Sequence, residues 1–88
     1  MSTLHIFSKP LSYYNTDQLV NLIQPSDQVL LLSDACFATT QFRQLARQLL
    51  ILADDAKVRD IAINKPDLAL SYDDFVALTL STSHSITW

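Results

Sequence analysis

Two short blocks of uninterrupted apolar residues constrain the fold of this chain more than any other feature. Val29-Leu30-Leu31-Leu32 is framed by Ser26-Asp27 and Ser33-Asp34, and Leu49-Leu50-Ile51-Leu52 stands between Gln48 and Ala53. A strand sends successive side chains to opposite faces, so a short apolar run with no polar break describes a strand buried on both sides. Strands of that kind belong to parallel sheets covered by helices, because a parallel connection needs a crossover. The rest of the chain reads accordingly. Leu4–Phe7 is a first strand, closed by Lys9-Pro10. Asn15, with Gln18 three residues on, opens a helix whose Leu19, Val20, Leu22 and Ile23 form an apolar stripe, and Pro25 ends it. Gln28–Leu32 is the central strand. After Asp34 a second helix carries Phe37, Phe42, Leu45 and Ala46, with Arg43 and Arg47 four apart on another face. Leu49–Leu52 is followed by a short helical turn over Asp54–Asp60, in which Asp55 and Arg59 are one turn apart. The turn cluster Asn64-Lys65-Pro66-Asp67 leads to a strand at Leu68–Leu70, and Ser71 with Asp74 caps a helix whose Phe75, Val76, Leu78 and Thr79 share a face. A polar tail, Ser81–Ser85, precedes Ile86-Thr87-Trp88, an apolar end that needs cover. The expectation is an α/β domain: a parallel sheet of four or five strands with Gln28–Leu32 and Leu49–Leu52 central, and three main helices distributed over both faces.

Composition narrows the function. At 88 residues the chain is expected to be one domain, residues 1–88, and its 49% hydrophobic and 17% charged content excludes a disordered segment. A core this small leaves stability marginal, so association with other chains, or with itself in their absence, is expected. The apolar runs fall far short of the roughly 20 residues that span a bilayer, and Met1-Ser2-Thr3-Leu4-His5 lacks the basic and apolar regions of a signal peptide. A cytoplasmic protein without membrane contact is therefore expected. A net charge of −3 is the wrong sign for gripping a phosphate backbone alone, so tRNA could be met only through a larger complex. The chain contains no glycine, which excludes Gly-rich dinucleotide and phosphate loops and the nucleophile elbow. One cysteine forbids an internal disulfide, and Cys36 with His5 and His84 is a poor zinc set; neither a metal nor a cofactor is implied.

Among chemically capable residues Cys36 stands first. It follows a buried strand at the carboxyl edge of the sheet, where α/β folds collect ligands, and at a helix start that favours a thiolate. Against a reactive thiol, Asp34 lies two residues away and no Lys, Arg or His stands within six residues in sequence. A buried small apolar residue is the commoner fate of a lone cysteine, and that reading is favoured. Adjacent carboxylates at Asp54-Asp55 and Asp73-Asp74 point apart, and capping or solvation accounts for them better than acid–base work. His5 lies inside a strand and His84 in the polar tail, so a Cys–His dyad would need tertiary coincidence. Arg43 and Arg47 read as a solvated face, and Phe37 with Phe42 as core.

Three motifs in order then resemble one family. Val29-Leu-Leu-Leu-Ser-Asp34 is similar to a strand of type LLLxDG, Leu52-Ala-Asp-Asp55 to a segment of type LxEDxxARG, and Tyr72-Asp-Asp-Phe75-Val76-x-Leu78-Thr79 with terminal Trp88 to a closing YxDFVxLT. Together these resemble the TusB/DsrH family over nearly the whole chain, the last motif being the most specific. Ala35 and Asp60 stand where the family commonly carries glycine, and the segment between Asp34 and Leu49 is short, so the second helix is expected to be truncated. The resemblance implies a small DsrEFH-like domain with flavodoxin-like layering. It implies assembly with TusC/DsrF-like and TusD/DsrE-like subunits in a heterohexamer that passes persulfide sulfur between cysteines. In the TusB branch that sulfur goes toward 2-thiouridine at the tRNA wobble position; in the DsrH branch it serves sulfur oxidation. Some DsrH members carry a cysteine in the first helix, whereas Asp17–Gln24 has none and Leu19 or Val20 stands near that place. This favours a non-catalytic subunit in the thiolation branch, not an enzyme on its own. The alternatives are a carrier using Cys36 as a persulfide and a DsrH-type subunit in sulfur oxidation.

Overall fold

A computed structural model describes residues 3–82 and 84–88. Five strands, β1 (Thr3–Phe7), β2 (Gln28–Leu31), β3 (Leu49–Leu52), β4 (Leu68–Leu70) and β5 (His84–Thr87), form one sheet in the order β4-β3-β2-β1-β5, and every pairing is parallel. The α-helices are α1 (Thr16–Leu22), α2 (Thr39–Phe42, a single turn), α3 (Ala53–Val58) and α4 (Tyr72–Ser81), with 3-10 segments at Leu11–Tyr13 and Ser33–Ala38. This is the α/β layering that the apolar blocks predict.

The topology follows from chirality. From β1 to β4 the chain steps one way across the sheet, and it then returns past β1 to β5. Parallel crossovers keep one hand, so reversing the direction of travel puts the crossover on the opposite face. Accordingly Leu19 of α1, Phe42 of α2 and Ala56 of α3 pack on Phe7, Val29, Leu31, Leu49 and Ile51. On the other face Phe75 and Leu78 of α4 alone lie against Leu4, Ile6, Leu30 and Leu50. The odd and even residues of β2 and β3 thus enter different cores, which is why neither strand carries a polar residue at its centre.

Several expectations need correction. In α1 only Leu19 and Ile23, one turn apart, are buried, while Val20 and Leu22 face outward. A seven-residue helix meets the sheet along a narrow strip, and the wider stripe has nothing to cover its flanks. Phe37 is 63% exposed while Phe42 is fully buried. The cause is winding: Ser33–Ala38 coils as a 3-10 helix, whose three-residue period turns Ala35, Cys36 and Ala38 inward and sends Phe37 out. The truncation expected for this helix takes that form. In α4, Phe75, Leu78 and Thr79 are half-buried but Val76 is exposed. The segment read as a polar tail is instead structural: Ser81 closes α4, and His84 and Ser85 open an exposed edge strand; residue 83 lies outside the described residues.

Both predicted caps are formed, Asn15 Oδ1 accepting from the Gln18 amide at 3.3 Å and Ser71 Oγ from the Asp74 amide at 3.1 Å. Trp88 is covered within the chain. Its indole stacks on Phe7 at 6.0 Å between centroids and its amide donates to the Ile6 carbonyl at 2.9 Å, extending the β1–β5 ladder.

Candidate functional site at the carboxyl edge of the sheet

The carboxyl ends of β2 and β3 gather the chemically capable residues. Beyond β2 the chain turns sharply at Ser33, whose φ of 51° lies in the left-handed region. That conformation is costly for a residue with a Cβ, and three contacts hold it in place. Asp55 Oδ2, from the first turn of α3, accepts the Ser33 amide at 2.7 Å, and Arg59 Nη2 donates to Ser33 Oγ at 3.1 Å. Leu32 donates its amide to the Phe7 carbonyl at 2.8 Å. Arg59 also donates through Nε to Asp34 Oδ1 at 3.2 Å and through Nη1 to the Asp55 carbonyl at 3.1 Å. Its guanidinium lies 5.9 Å from the centroid of the exposed Phe37 ring. Arg59 therefore ties the β2 end, the 3-10 segment and α3 together. The i,i+4 spacing of Asp55 and Arg59 did mark this pair, although Arg59 reaches the Asp55 carbonyl and not its carboxylate.

Arg59 closes α3 in a way that bears on the family glycine. Ile61 donates its amide to the Ala56 carbonyl at 2.9 Å and Asp60 to the Lys57 carbonyl at 3.1 Å, with Asp60 at φ 55°. These are the paired bonds of a Schellman cap, whose left-handed position usually takes glycine and here takes aspartate, a residue that tolerates it. At the β2 end the left-handed residue is Ser33 and not Ala35, so an alanine at 35 meets no obstacle.

Cys36 sits on the inner side of this edge. It is 1% exposed and its Sγ donates toward the Leu31 carbonyl at 3.9 Å. Burial, then the negative charge of Asp55, pushes its thiol up to about 11; Arg59 pulls the other way and Asp34 adds least to the rise. The sequence argument against a reactive thiol thus reached the right direction through the wrong neighbour. Asp34 is paired outward with Arg59, and desolvation does most of the work. At neutral pH only on the order of one in ten thousand such thiols is ionised.

The other candidates separate. His5 is buried far from Cys36: its Nε2 donates to Asp27 Oδ2 at 3.0 Å and its Nδ1 accepts from the Trp88 indole at 3.1 Å. An indole nitrogen only donates, so the ring is the neutral Nε2–H tautomer, locked between two partners. This Asp27–His5–Trp88 chain was invisible in the sequence except for the Asp that frames β2. Burial works against the charge of Asp27, but the Gln24 amide, the His5 ring and the Thr3 amide outweigh it and hold the carboxyl below its usual range. His84 is exposed on β5. Asp73 and Asp74 lie in the first turn of α4, and Asp54 in that of α3 beside Asp55. The reading of Arg43 as a solvated charge is corrected. Its guanidinium bonds the buried Asp67 carboxylate twice, at 3.1 and 2.5 Å, and Asp67 also accepts the Leu49 amide at 3.0 Å. A buried carboxylate at the start of β3 needed a cation, and Arg43 is within reach. Among the described residues no group of His, Cys, Asp and Glu is placed to hold a metal ion, and no helix is long and apolar enough to cross a membrane.

The family model described as DsrH like protein matches residues 9–85, a span that includes all four helices, β2 through β4 and every residue of this edge. The chain belongs to the DsrH-like family. No curated protein matches it. Membership aligns this DsrH-like chain with sulfur-relay subunits that work beside DsrE- and DsrF-like chains, and it agrees with the five-stranded parallel architecture.

Proposed function

We propose that this DsrH-like chain is a non-catalytic subunit of a sulfur-relay assembly, contributing surface and geometry while cysteines of DsrE-like (TusD-type) and DsrF-like (TusC-type) partners carry the persulfide. The observation that carries this reading is the state of Cys36. It is the only cysteine in the chain, it is buried, and its thiol is held protonated, whereas a sulfur carrier needs an accessible thiolate. The carboxyl edge supports the same reading. Arg59, the one cation close to the thiol, is already bonded to Ser33, Asp34 and Asp55, so it is committed to holding the turn. We place the assembly in the branch that delivers sulfur to the tRNA wobble uridine, in the cytoplasm, with tRNA contacted by the other chains because this one carries a net charge of −3.

Affinity capture of the tagged chain from its native host, followed by mass spectrometry, tests the proposal. It predicts recovery of one DsrE-like and one DsrF-like chain in equal amounts, together with a tRNA thiolation enzyme. Recovery of sulfur-oxidation enzymes would move the chain to the other branch. A chain recovered alone, as a homo-oligomer, would overturn the assembly itself.

A further inference from the structure

The opposite edge of the sheet holds a second feature, independent of Cys36. Between the turn that leads into β2 and the turn that leads into β3 runs a cleft of about 620 Å³, walled by residues 24–28 on one side and 43–48 on the other. Its floor is apolar, with Leu50 buried and Leu45 and Ala46 half-buried, and its rim carries Gln24, Gln28, Gln44, Gln48 and Arg47.

Two buried carboxylates brace the walls without offering charge to the cleft. Asp27 accepts from the Thr3 amide, the Gln24 amide and His5, each at 3.0 Å, and its side chain is 5% exposed. Asp67 fixes the other wall through Arg43, which also donates to the Arg47 carbonyl at 3.3 Å. The turn that presents the Arg47 side chain is therefore held before any ligand arrives, which lowers the ordering cost of binding. Arg47 itself has no acidic partner among the described residues, and the side-chain amides of Gln24, Gln28 and Gln44 bond no other described residue. In a chain of net charge −3, this cleft is locally cationic and rich in free amides.

That chemistry selects its occupant. No aromatic side chain lines the cleft, so a nucleobase would find no stacking platform, and a single free arginine cannot track a phosphate backbone. Glutamine amides both donate and accept, as an extended peptide backbone requires, and the guanidinium matches a carboxylate in a two-bond fork. We infer that this cleft docks an acidic, extended segment of a partner protein, its backbone held by Gln24, Gln28 and Gln44 and a carboxylate held by Arg47. The inference does not depend on the sulfur-relay reading, since such a segment would bind here whichever pathway the chain serves.

A titration of the isotope-labelled chain with a blocked peptide of alternating leucine and aspartate, followed by amide NMR, decides the matter. The result expected is saturable shifts of the Arg47 guanidinium and of the side-chain amides of Gln24, Gln28 and Gln44, with a Kd on the order of 1 mM or tighter. Arg47→Gln should weaken that binding about fivefold, an exposed ion pair's worth, with an unchanged spectrum for the rest of the chain. Absence of saturable shifts up to about 5 mM peptide, or a loss below about twofold in Arg47→Gln, would overturn the inference. Equal or tighter binding of the leucine–lysine counterpart or of adenosine monophosphate would overturn it as well.

Discussion

Alkylation of Cys36 gives the account its sharpest quantitative exposure. A free thiol with an ordinary pKa near 9 is about one tenth ionised at pH 8, whereas one at about 11 is ionised to about one part in a thousand. The nucleophile is the thiolate, so ionisation alone slows the native chain about a hundredfold relative to the unfolded one. Burial slows it further, because a side chain 1% exposed reacts only when the carboxyl edge opens. The assay is the pseudo-first-order rate of iodoacetamide labelling, with and without denaturant, from pH 7 to 10. The native rate should be at least about a hundredfold slower at pH 8 and should still be rising at pH 10. A rate within about tenfold of the unfolded chain, or a plateau near pH 7, would refute the reasoning. The same shift has a stability consequence of fixed sign. Above pH 9 the unfolded chain releases the thiol proton while the folded chain retains it, so stability falls as pH rises, by roughly 2 to 3 kcal/mol once both forms are ionised. Cys36→Ser should remove that slope.

Three further outcomes follow from the fold. Trp88→Phe keeps the stacking on Phe7 but leaves His5 Nδ1 without a donor, and should cost about 1 to 2 kcal/mol by urea denaturation followed by circular dichroism, against about 3 kcal/mol for Trp88→Ala; equal costs would break the hydrogen-bond argument. Asp60→Gly relieves a left-handed aspartate and should stabilise by about 0.5 to 1 kcal/mol, and any loss of stability would contradict the cap geometry. Asp27 is held below the ordinary carboxylate range, so its stabilisation is present above about pH 4 and fades as pH drops through its folded value; Asp27→Asn should flatten the acid limb of stability against pH, and an unaltered acid limb would refute its role.

The sheet was legible because burial on two faces leaves a mark that needs no tertiary knowledge: four apolar residues in a row at Val29–Leu32 and again at Leu49–Leu52. Capping was legible for the same reason, since Asn15 with Gln18 and Ser71 with Asp74 are local. Strand β5 was not, because an edge strand exposed along its whole length reads as a polar tail and gains its identity only from pairing with β1. The direction of Phe37 depended on a 3-10 winding that helical periodicity does not encode. At the site, Arg59 reaches Asp34 across 25 positions, and Trp88 reaches His5 across 83. Such pairs are set by sheet order, so the sequence offered the partners without their pairing.

Sulfur transfer by a reconstituted assembly containing Cys36→Ser tests the central claim most directly. The chain is combined with its captured DsrE- and DsrF-like partners, a persulfide donor charged with labelled sulfur is added, and label reaching the tRNA product is counted after assembly has been verified by sedimentation. The account predicts wild-type transfer by the Cys36→Ser assembly and no label trapped on Cys36 in the wild type. A correctly assembled Cys36→Ser complex that fails to deliver sulfur, with label recovered on wild-type Cys36, would contradict it and make this chain a link in the relay.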